Sequence, residues 1–373
     1  MSGRYAKKPT NVEVNFKLAA KYAARYTEAM EAKAKELYQK VITLDPEGKQ
    51  GTHTIEYLKV TVPYTQAAEF ALGQMASFGR KPDPAPLQAF IKKYPSSPLV
   101  ESGYEYLSNY YMAQAPKDEA SKFFEEWIAR FPDKTSGYDL YVRRIIRDKA
   151  DLDKGIKLAE KISEIEGYDI APRYVQNHAQ LYVLKGDKAK ADELYGKDFM
   201  ADQVDNLAYA LRSYAEFWAG QNENLASAEA MIEKALLLEP DEAYFKQSAA
   251  NIYLKLGKEE KALAVYGPEF VQKNAAAASP LFSYASFWNR QGKNLESAVE
   301  AAKKALELEP TYYGYDVLGQ IQLKLKNYEE ALKAAEKALA LAQDVAKKNE
   351  GFPTKPYEDR VQKVKDAMAQ QKK

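Results

Sequence analysis

One segment of this chain is written twice. Ser213-Tyr214-Ala215, Phe217-Trp218, Gln221, Asn224-Leu225 and Ser227-Ala228 return at the same spacing as Ser283-Tyr284-Ala285, Phe287-Trp288, Gln291, Asn294-Leu295 and Ser297-Ala298, seventy residues on. Both copies then run into a Lys-Ala-Leu-x-Leu-Glu-Pro ending, at Pro240 and at Pro310. A repeat at a long fixed offset constrains architecture more than any local motif does. Each unit is too small to bury its own apolar face and must stack on its neighbours, so the chain becomes an array. Arrays offer extended surfaces rather than one deep pocket.

The period inside each unit is helical. Between Tyr315 and Leu341, Val317-Leu318, Ile321, Leu325, Ala331-Leu332, Ala335 and Ala338-Leu339 follow a spacing near 3.6, broken at Lys326-Asn327. Two helical stretches joined by a short break form an antiparallel hairpin. Alternation of period two is nearly absent, and Ile55 to Val62, although partly β-branched, is read as helix.

Tyr315, Leu318-Gly319, Ala331, Ala335 and Ala338 together resemble the tetratricopeptide repeat, a helical pair of roughly 34 residues. Small residues stand where two helix backbones approach most closely, and a larger side chain there would overpack the contact. The terminal Pro stops the second helix. The same frame fits Leu18-Ala19, Tyr22, Ala34 and Tyr38; then, poorly, Thr54 to Pro95; then Leu107, Tyr110, Ala120, Phe124 and Trp127; then Gly155, Ala159 and Ile162. A shortened variant occurs twice, ending in Tyr195-Gly196-x-x-Phe199 and Tyr266-Gly267-x-x-Phe270. Gly196 and Gly267 are expected to close these helices in the left-handed conformation, with the Phe folding back.

The resemblance implies an all-α, right-handed superhelical solenoid of about nine hairpins with a C-terminal capping helix. The expected organisation is one continuous solenoid: irregular hairpins over 1–135, alternating long and short hairpins over 136–345, and a cap over 353–371. Tyr357, Val361, Val364 and Met368 share one face of that last helix. The pattern also resembles the helical portion of bacterial proteins that carry a thioredoxin-fold domain before such repeats.

Chemistry of the ordinary catalytic kinds is sparse. With no cysteine, thiolate metal sites, disulfides and thiol nucleophiles are excluded. There are two histidines. His178 falls at an inward-facing position, and His53 in a loop before a helix start. No metal-ligand spacing, catalytic Ser-His-Asp order or Gly-rich phosphate loop is visible. Glu259-Glu260 and Glu329-Glu330 read as openings of second helices, where acidic side chains suit the helix dipole. With 54 basic against 53 acidic residues, the net charge of +1 argues against a general nucleic-acid binder. No apolar run is long enough to span a bilayer. No secretory signal is visible at the start, so the chain is expected to be cytoplasmic as it stands, or periplasmic if it is a fragment of a longer precursor.

These readings point to a non-catalytic protein- or peptide-binding scaffold with no cofactor. The alternatives are a positioning module of a larger thioredoxin-like redox protein and an enzyme on a helical toroid. In the tetratricopeptide family the first helix of each hairpin lines a concave groove. Mapped onto this chain, the groove would present Asn109, Arg144, Arg147, Arg173, Gln176 and Gln180. Farther along come Phe217, Gln221, Gln247, Asn251, Lys255, Phe287, Arg290, Gln291, Asp316, Gln320 and Lys324. Amides suit an extended peptide backbone, and Arg grips carboxylates bidentately. Because Phe217-Trp218 and Phe287-Trp288 are adjacent pairs, one ring of each is expected to point away from the core and to serve as a binding anchor.

Overall fold

The computed structural model describes residues 10–25, 28–78, 82–167, 170–196, 207–349 and 352–371. The chain forms two units, Met1–Tyr195 and Gly196–Lys373. In the first, helices α1 (Val12–Ala23) and α2 (Glu28–Leu44) form one hairpin. A β-hairpin, β1 (Thr52–Ile55) and β2 (Val60–Pro63), follows. Then come the helical pairs α3 (Tyr64–Ser77)/α4 (Ala85–Lys93), α5 (Val100–Ala113)/α6 (Lys117–Arg130), α7 (Thr135–Asp148)/α8 (Leu152–Glu166) and α9 (Pro172–Lys185)/α10 (Lys188–Leu194). The second unit contains α11 (Leu207–Gln221)/α12 (Leu225–Leu238) and α13 (Ala243–Lys255)/α14 (Glu259–Tyr266), followed by the short α15 (Pro268–Lys273). It ends with α16 (Ala278–Gln291)/α17 (Leu295–Leu308), α18 (Tyr312–Lys324)/α19 (Tyr328–Lys348) and the last helix, α20 (Lys355–Gln371).

The packing is that of stacked hairpins. Within each unit the first helix of a hairpin packs on its own partner and on the first helix of the next hairpin. The partner usually packs on that next first helix too, as α7, α8 and α9 do. First helices therefore lie side by side along one face of each unit. The expected all-α array holds, with the β-hairpin as its one insertion among the described residues.

Small residues set the spacing. A Cβ added to Gly155 on α8 would meet Leu181 at 2.8 Å and Ile145 at 2.9 Å, so this crossing of α7, α8 and α9 admits nothing larger than hydrogen. Ala298, Ala301, Ala302 and Ala305 play the same part on α17, all fully buried. From α8 to α17 the second helices alternate in length, with 15, 7, 14, 8 and 14 residues, but α19, with 21, follows the long α17, so the alternation stops short of residue 345.

The twice-written motif has a physical explanation in its second copy. Asn294 holds a φ of +49° just before α17, a left-handed value that Asn tolerates better than most residues. Its side chain donates to the Tyr284 hydroxyl at 2.6 Å, and that hydroxyl pairs with Ser297 Oγ at 2.8 Å. Tyr284, Asn294 and Ser297 thus lock the turn, which requires all three at fixed spacing. In the first copy Asn224 also has a positive φ, of 48°.

Three expectations need correction. Residues 55–62 are not helical: they belong to β1, its turn and β2, with Ile55 opposite Val60 and Thr54 Oγ1 2.8 Å from Thr61 Oγ1. Val62 is buried while Thr54 and Thr61 face solvent, and Lys59 takes a φ of +54° in the turn. His53 accordingly lies on a strand, packed 4.5 Å from the Phe16 ring, and not in a loop. Gly267 is not left-handed; its φ is −111°. It is needed because a Cβ there would sit 2.0 Å from the Leu263 carbonyl oxygen. Phe270 does fold back, its ring 4.5 Å from Tyr266 and stacked on Tyr284. The matching reading at Gly196 and Phe199 runs into residues 197–206, outside the described residues.

The last helix covers an apolar end. Val361 and Val364 are buried against Ala331 and Ala335, with Met368, Leu323, Leu332 and Leu339 around them.

Candidate functional site

The face formed by the first helices carries the candidate groove of each unit. In the second unit, α11, α13 and α16 enclose a hollow of about 340 Å³ lined by Arg212, Glu216, Tyr244, Gln247, Ser248, Asn251, Phe287, Arg290 and Gln291. Five of the residues expected from sequence, Gln247, Asn251, Phe287, Arg290 and Gln291, meet here. They do so because positions four residues apart on neighbouring parallel helices fall on the same face.

The hollow is a polar lattice. Ser248 Oγ sits 2.5 Å from Glu216 Oε1, Arg212 Nε donates to Ser248 at 3.0 Å, and a second Arg212 nitrogen reaches Glu216 at 2.8 Å. Gln291 Nε2 donates to Asn251 Oδ1 at 3.4 Å, a long bond that a better acceptor could replace. Arg290 is exposed and donates to the Ser286 hydroxyl at 2.9 Å. No carboxylate lies within ion-pairing distance of Arg290 among the described residues, so its fork is open toward the hollow.

Farther along the same face a second cluster forms. Asn289 Nδ2 donates to Gln320 at 3.3 Å, Gln320 Nε2 to Asp316 at 2.7 Å, and Arg360 of α20 to Asp316 at 3.0 Å. Lys324 donates to the Asn289 carbonyl. Burial, with Lys363 nearby, lowers the Lys324 ammonium pKa below its ordinary value. Asp316, Gln320 and Lys324 are therefore brought together, but with their hydrogen bonds already made. Lys255 is exposed in the last turn of α13 and does not line the hollow. Gln221 is half-buried at the end of α11.

In the first unit, α7 and α9 enclose a hollow of about 440 Å³ that includes Asp139, Arg143, Arg173, Tyr174 and Asn177. Arg173 is exposed, lies over the Tyr174 ring at 4.6 Å and donates to its hydroxyl at 2.7 Å. Asp139 is buried on the floor and accepts from Asn177 at 3.2 Å. Burial raises its carboxyl pKa above the usual range, against the pull of Arg143 and Arg173. Asn109 is exposed on α5, Arg147 is exposed beside Asp148, and Gln176 and Gln180 are half-buried on α9.

Three groove expectations are corrected. Arg144 exposes 6% of its surface: it donates to the Tyr111 and Ala115 carbonyls and pairs with Asp148 at 2.5 Å, so it clamps α7 to the end of α5. Phe217 and Phe287 expose 6% and 2%, and Trp218 and Trp288 are fully buried. Neither ring of either pair points outward. Trp288 donates its indole N–H to the Tyr266 carbonyl at 2.8 Å, while Phe287 lies edge-on to the Tyr266 ring at 5.4 Å. The contact between neighbouring hairpins has room for both rings, and Phe287 shows only a sliver to the hollow. His178 is buried beside Tyr182, and burial pushes its imidazole pKa below the ordinary value.

Sequence reasoning missed Arg212, Glu216, Ser248 and Asp139. Arg212 and Glu216 stand a helical turn apart around the repeated Ser213-Tyr214-Ala215, so the repeat marked their helix but not their face. Among the described residues, no cluster of three or more His, Asp or Glu could hold a metal ion. No helix there is long and apolar enough to cross a membrane.

A tetratricopeptide-repeat family model matches residues 313–345, the α18/α19 hairpin. A comparison with curated protein sequences returned no match. Among solved structures, a tetratricopeptide repeat protein from Parabacteroides merdae is 16% identical over 74% of this chain and 98% of its own, with a TM-score of 0.39. Yeast Tom70 is 17% identical over 100% of this chain and 65% of its own, with a TM-score of 0.46. YrrB, a tetratricopeptide protein with an unusual peptide-binding site, is 17% identical over 59% of this chain and 93% of its own, with a TM-score of 0.27.

Proposed function

We propose that this chain, a carrier of tetratricopeptide repeats, is a scaffold that holds an extended peptide segment of a partner protein without transforming it, using the faces formed by its first helices. The observation that carries the reading is the hollow between α11, α13 and α16. It sets the amides of Gln247, Asn251 and Gln291 beside an Arg290 that has no carboxylate partner. Amides offer both donor and acceptor to a peptide backbone, and the guanidinium donates to a carboxylate in a bidentate pair. The Gln291–Asn251 bond is long enough to be exchanged for one to a ligand at little cost. In the first unit, Arg173 and Arg147 serve the same reading.

The test is affinity capture from the native organism's lysate with the wild-type chain and with an Arg290→Glu, Asn251→Ala variant. Both side chains lie at the solvent boundary, so the helical circular-dichroism signal and thermal midpoint should be preserved. Proteins held by the wild type and lost by the variant support the groove. Identical capture by both removes it.

A further inference from the structure

The large exposed apolar side chains of the second unit are not scattered. Among the described residues they are Tyr209, Leu237, Leu238, Tyr244, Leu308 and Tyr313, with 46% to 82% of their surface exposed. Tyr209, Tyr244 and Tyr313 stand in the first turns of α11, α13 and α18. Leu237, Leu238 and Leu308 close α12 and α17. In antiparallel hairpins the start of the first helix and the end of the second share one end. All six therefore lie at one end of the hairpins, with Tyr244 also on the rim of the polar hollow.

Where second helices begin, Glu229 pairs with Lys258 at 2.5 Å and Lys261 at 2.9 Å, Glu233 with Lys261 at 3.0 Å, and Glu259 with Lys293, while Glu260, Glu296, Glu329 and Glu330 have no cation within ion-pairing distance among the described residues. Where second helices end, Glu239, Glu307 and Glu309 are exposed and have no cation within ion-pairing distance among the described residues. Asp241 meets Lys246 only at 3.9 Å. Apolar side chains with this much exposure, gathered at one end of the hairpins and bordered by polar ones, mark an interaction surface. Its acidic border selects against an anionic membrane and against a second copy of the same edge.

We infer that this edge docks a basic amphipathic helix of a partner protein, its leucine-like face on the exposed Leu and Tyr and its Lys or Arg on Glu239, Glu307 and Glu309. Four first helices side by side, at an axial spacing of about 8–10 Å, give an edge of about 25–30 Å. That length matches a helix of about 20 residues. The inference does not depend on the groove reading.

A fluorescein-labelled 20-residue Leu/Lys amphipathic helical peptide tests it by fluorescence anisotropy with the full chain. A twin peptide carrying Glu for every Lys is the control. The Lys peptide is expected to bind and the Glu twin to bind at least about tenfold more weakly. Leu237→Ser with Leu308→Ser, and separately Glu239→Lys with Glu309→Lys, should each weaken binding at least about tenfold while thermal unfolding stays unchanged. Asn251→Ala, in the hollow and away from these side chains, should leave it unaltered. Equal binding of the twin peptide, or undiminished binding by the Leu→Ser variant, overturns the inference. So does loss of binding on Asn251→Ala, which would place the peptide in the hollow. Sedimentation velocity without peptide supplies one more outcome: a dimer dissolved by Leu237→Ser and Leu308→Ser would make the edge a self-interface and overturn it too.

Discussion

The two units join neighbouring first helices by different means. In the first, Arg144 reaches across from α7 and spends its guanidinium on two backbone carbonyls of the α5 end, sealed from water. In the second, most links are side chain to side chain at the solvent boundary: Arg212 to Ser248, Gln291 to Asn251, and Tyr313 to Ser286 at 2.9 Å; Lys324 does reach the Asn289 carbonyl, but from an exposed position. A buried cation on carbonyls has no substitute when it is removed. A boundary amide has water, or a ligand, waiting. The same stacking therefore yields a joint that sets stability in one unit and a joint that can be exchanged during binding in the other.

The sharpest way to break that contrast is Arg144→Ala. It orphans two carbonyls and strips Asp148 of its nearest partner, and should cost about 2–4 kcal/mol. Hydrogen exchange should place the loss at α5 and α7. A loss below about 0.5 kcal/mol would mean that the clamp carries no weight. Next is Ala298→Leu in the second unit, which forces bulk into a fully buried helix crossing and should cost about 1–3 kcal/mol by thermal or urea unfolding. Tyr284→Phe removes the hydroxyl that joins Asn294 to Ser297, and should cost about 1 kcal/mol, with faster exchange confined to the turn before α17. Gln291→Ala, at an exchangeable joint, should change stability by less than about 0.5 kcal/mol. If it proved as damaging as Arg144→Ala, the contrast between the units would collapse.

The smallest effect is pH dependence, and it too should separate the units. Both histidines lie in the first unit, and burial lowers the pKa of each below its ordinary value. The unfolded chain takes up these protons near pH 6.5 and the folded unit only at lower pH. Their contribution is therefore fully present above about pH 6.5 and is lost as pH falls through the folded values. Exchange protection in α9 should decline between pH 7 and pH 5 while α16 and α17 hold. His178→Gln should flatten that decline.

The hairpin order was legible because small residues recur at helical spacing where its helices cross. Ala331, Ala335 and Ala338 are there, and all are buried. Tyr284, Asn294 and Ser297 were visible as part of a repeated pattern, although only geometry shows that these three are one hydrogen-bonded lock. The β-hairpin escaped notice because two four-residue strands give too few alternations to stand out from helical spacing. Arg144 escaped because a helical wheel places an arginine on a face but cannot say that the neighbouring helix ends there and leaves its carbonyls open. The adjacent Phe and Trp misled for a similar reason: a wheel assigns directions, while the depth of the cleft between hairpins decides whether both rings fit.

The alternation of long and short second helices bears on how such a chain could grow. The seventy-residue period spans two hairpins, one closed by a full-length helix and one by a helix stopped at Gly267. The heritable block is then the pair. Copying or deleting seventy residues between Pro240 and Pro310 keeps the long-short-long order of α12, α14 and α17, whereas a change of thirty-five would break it there, so this stretch should gain or shed length in double steps.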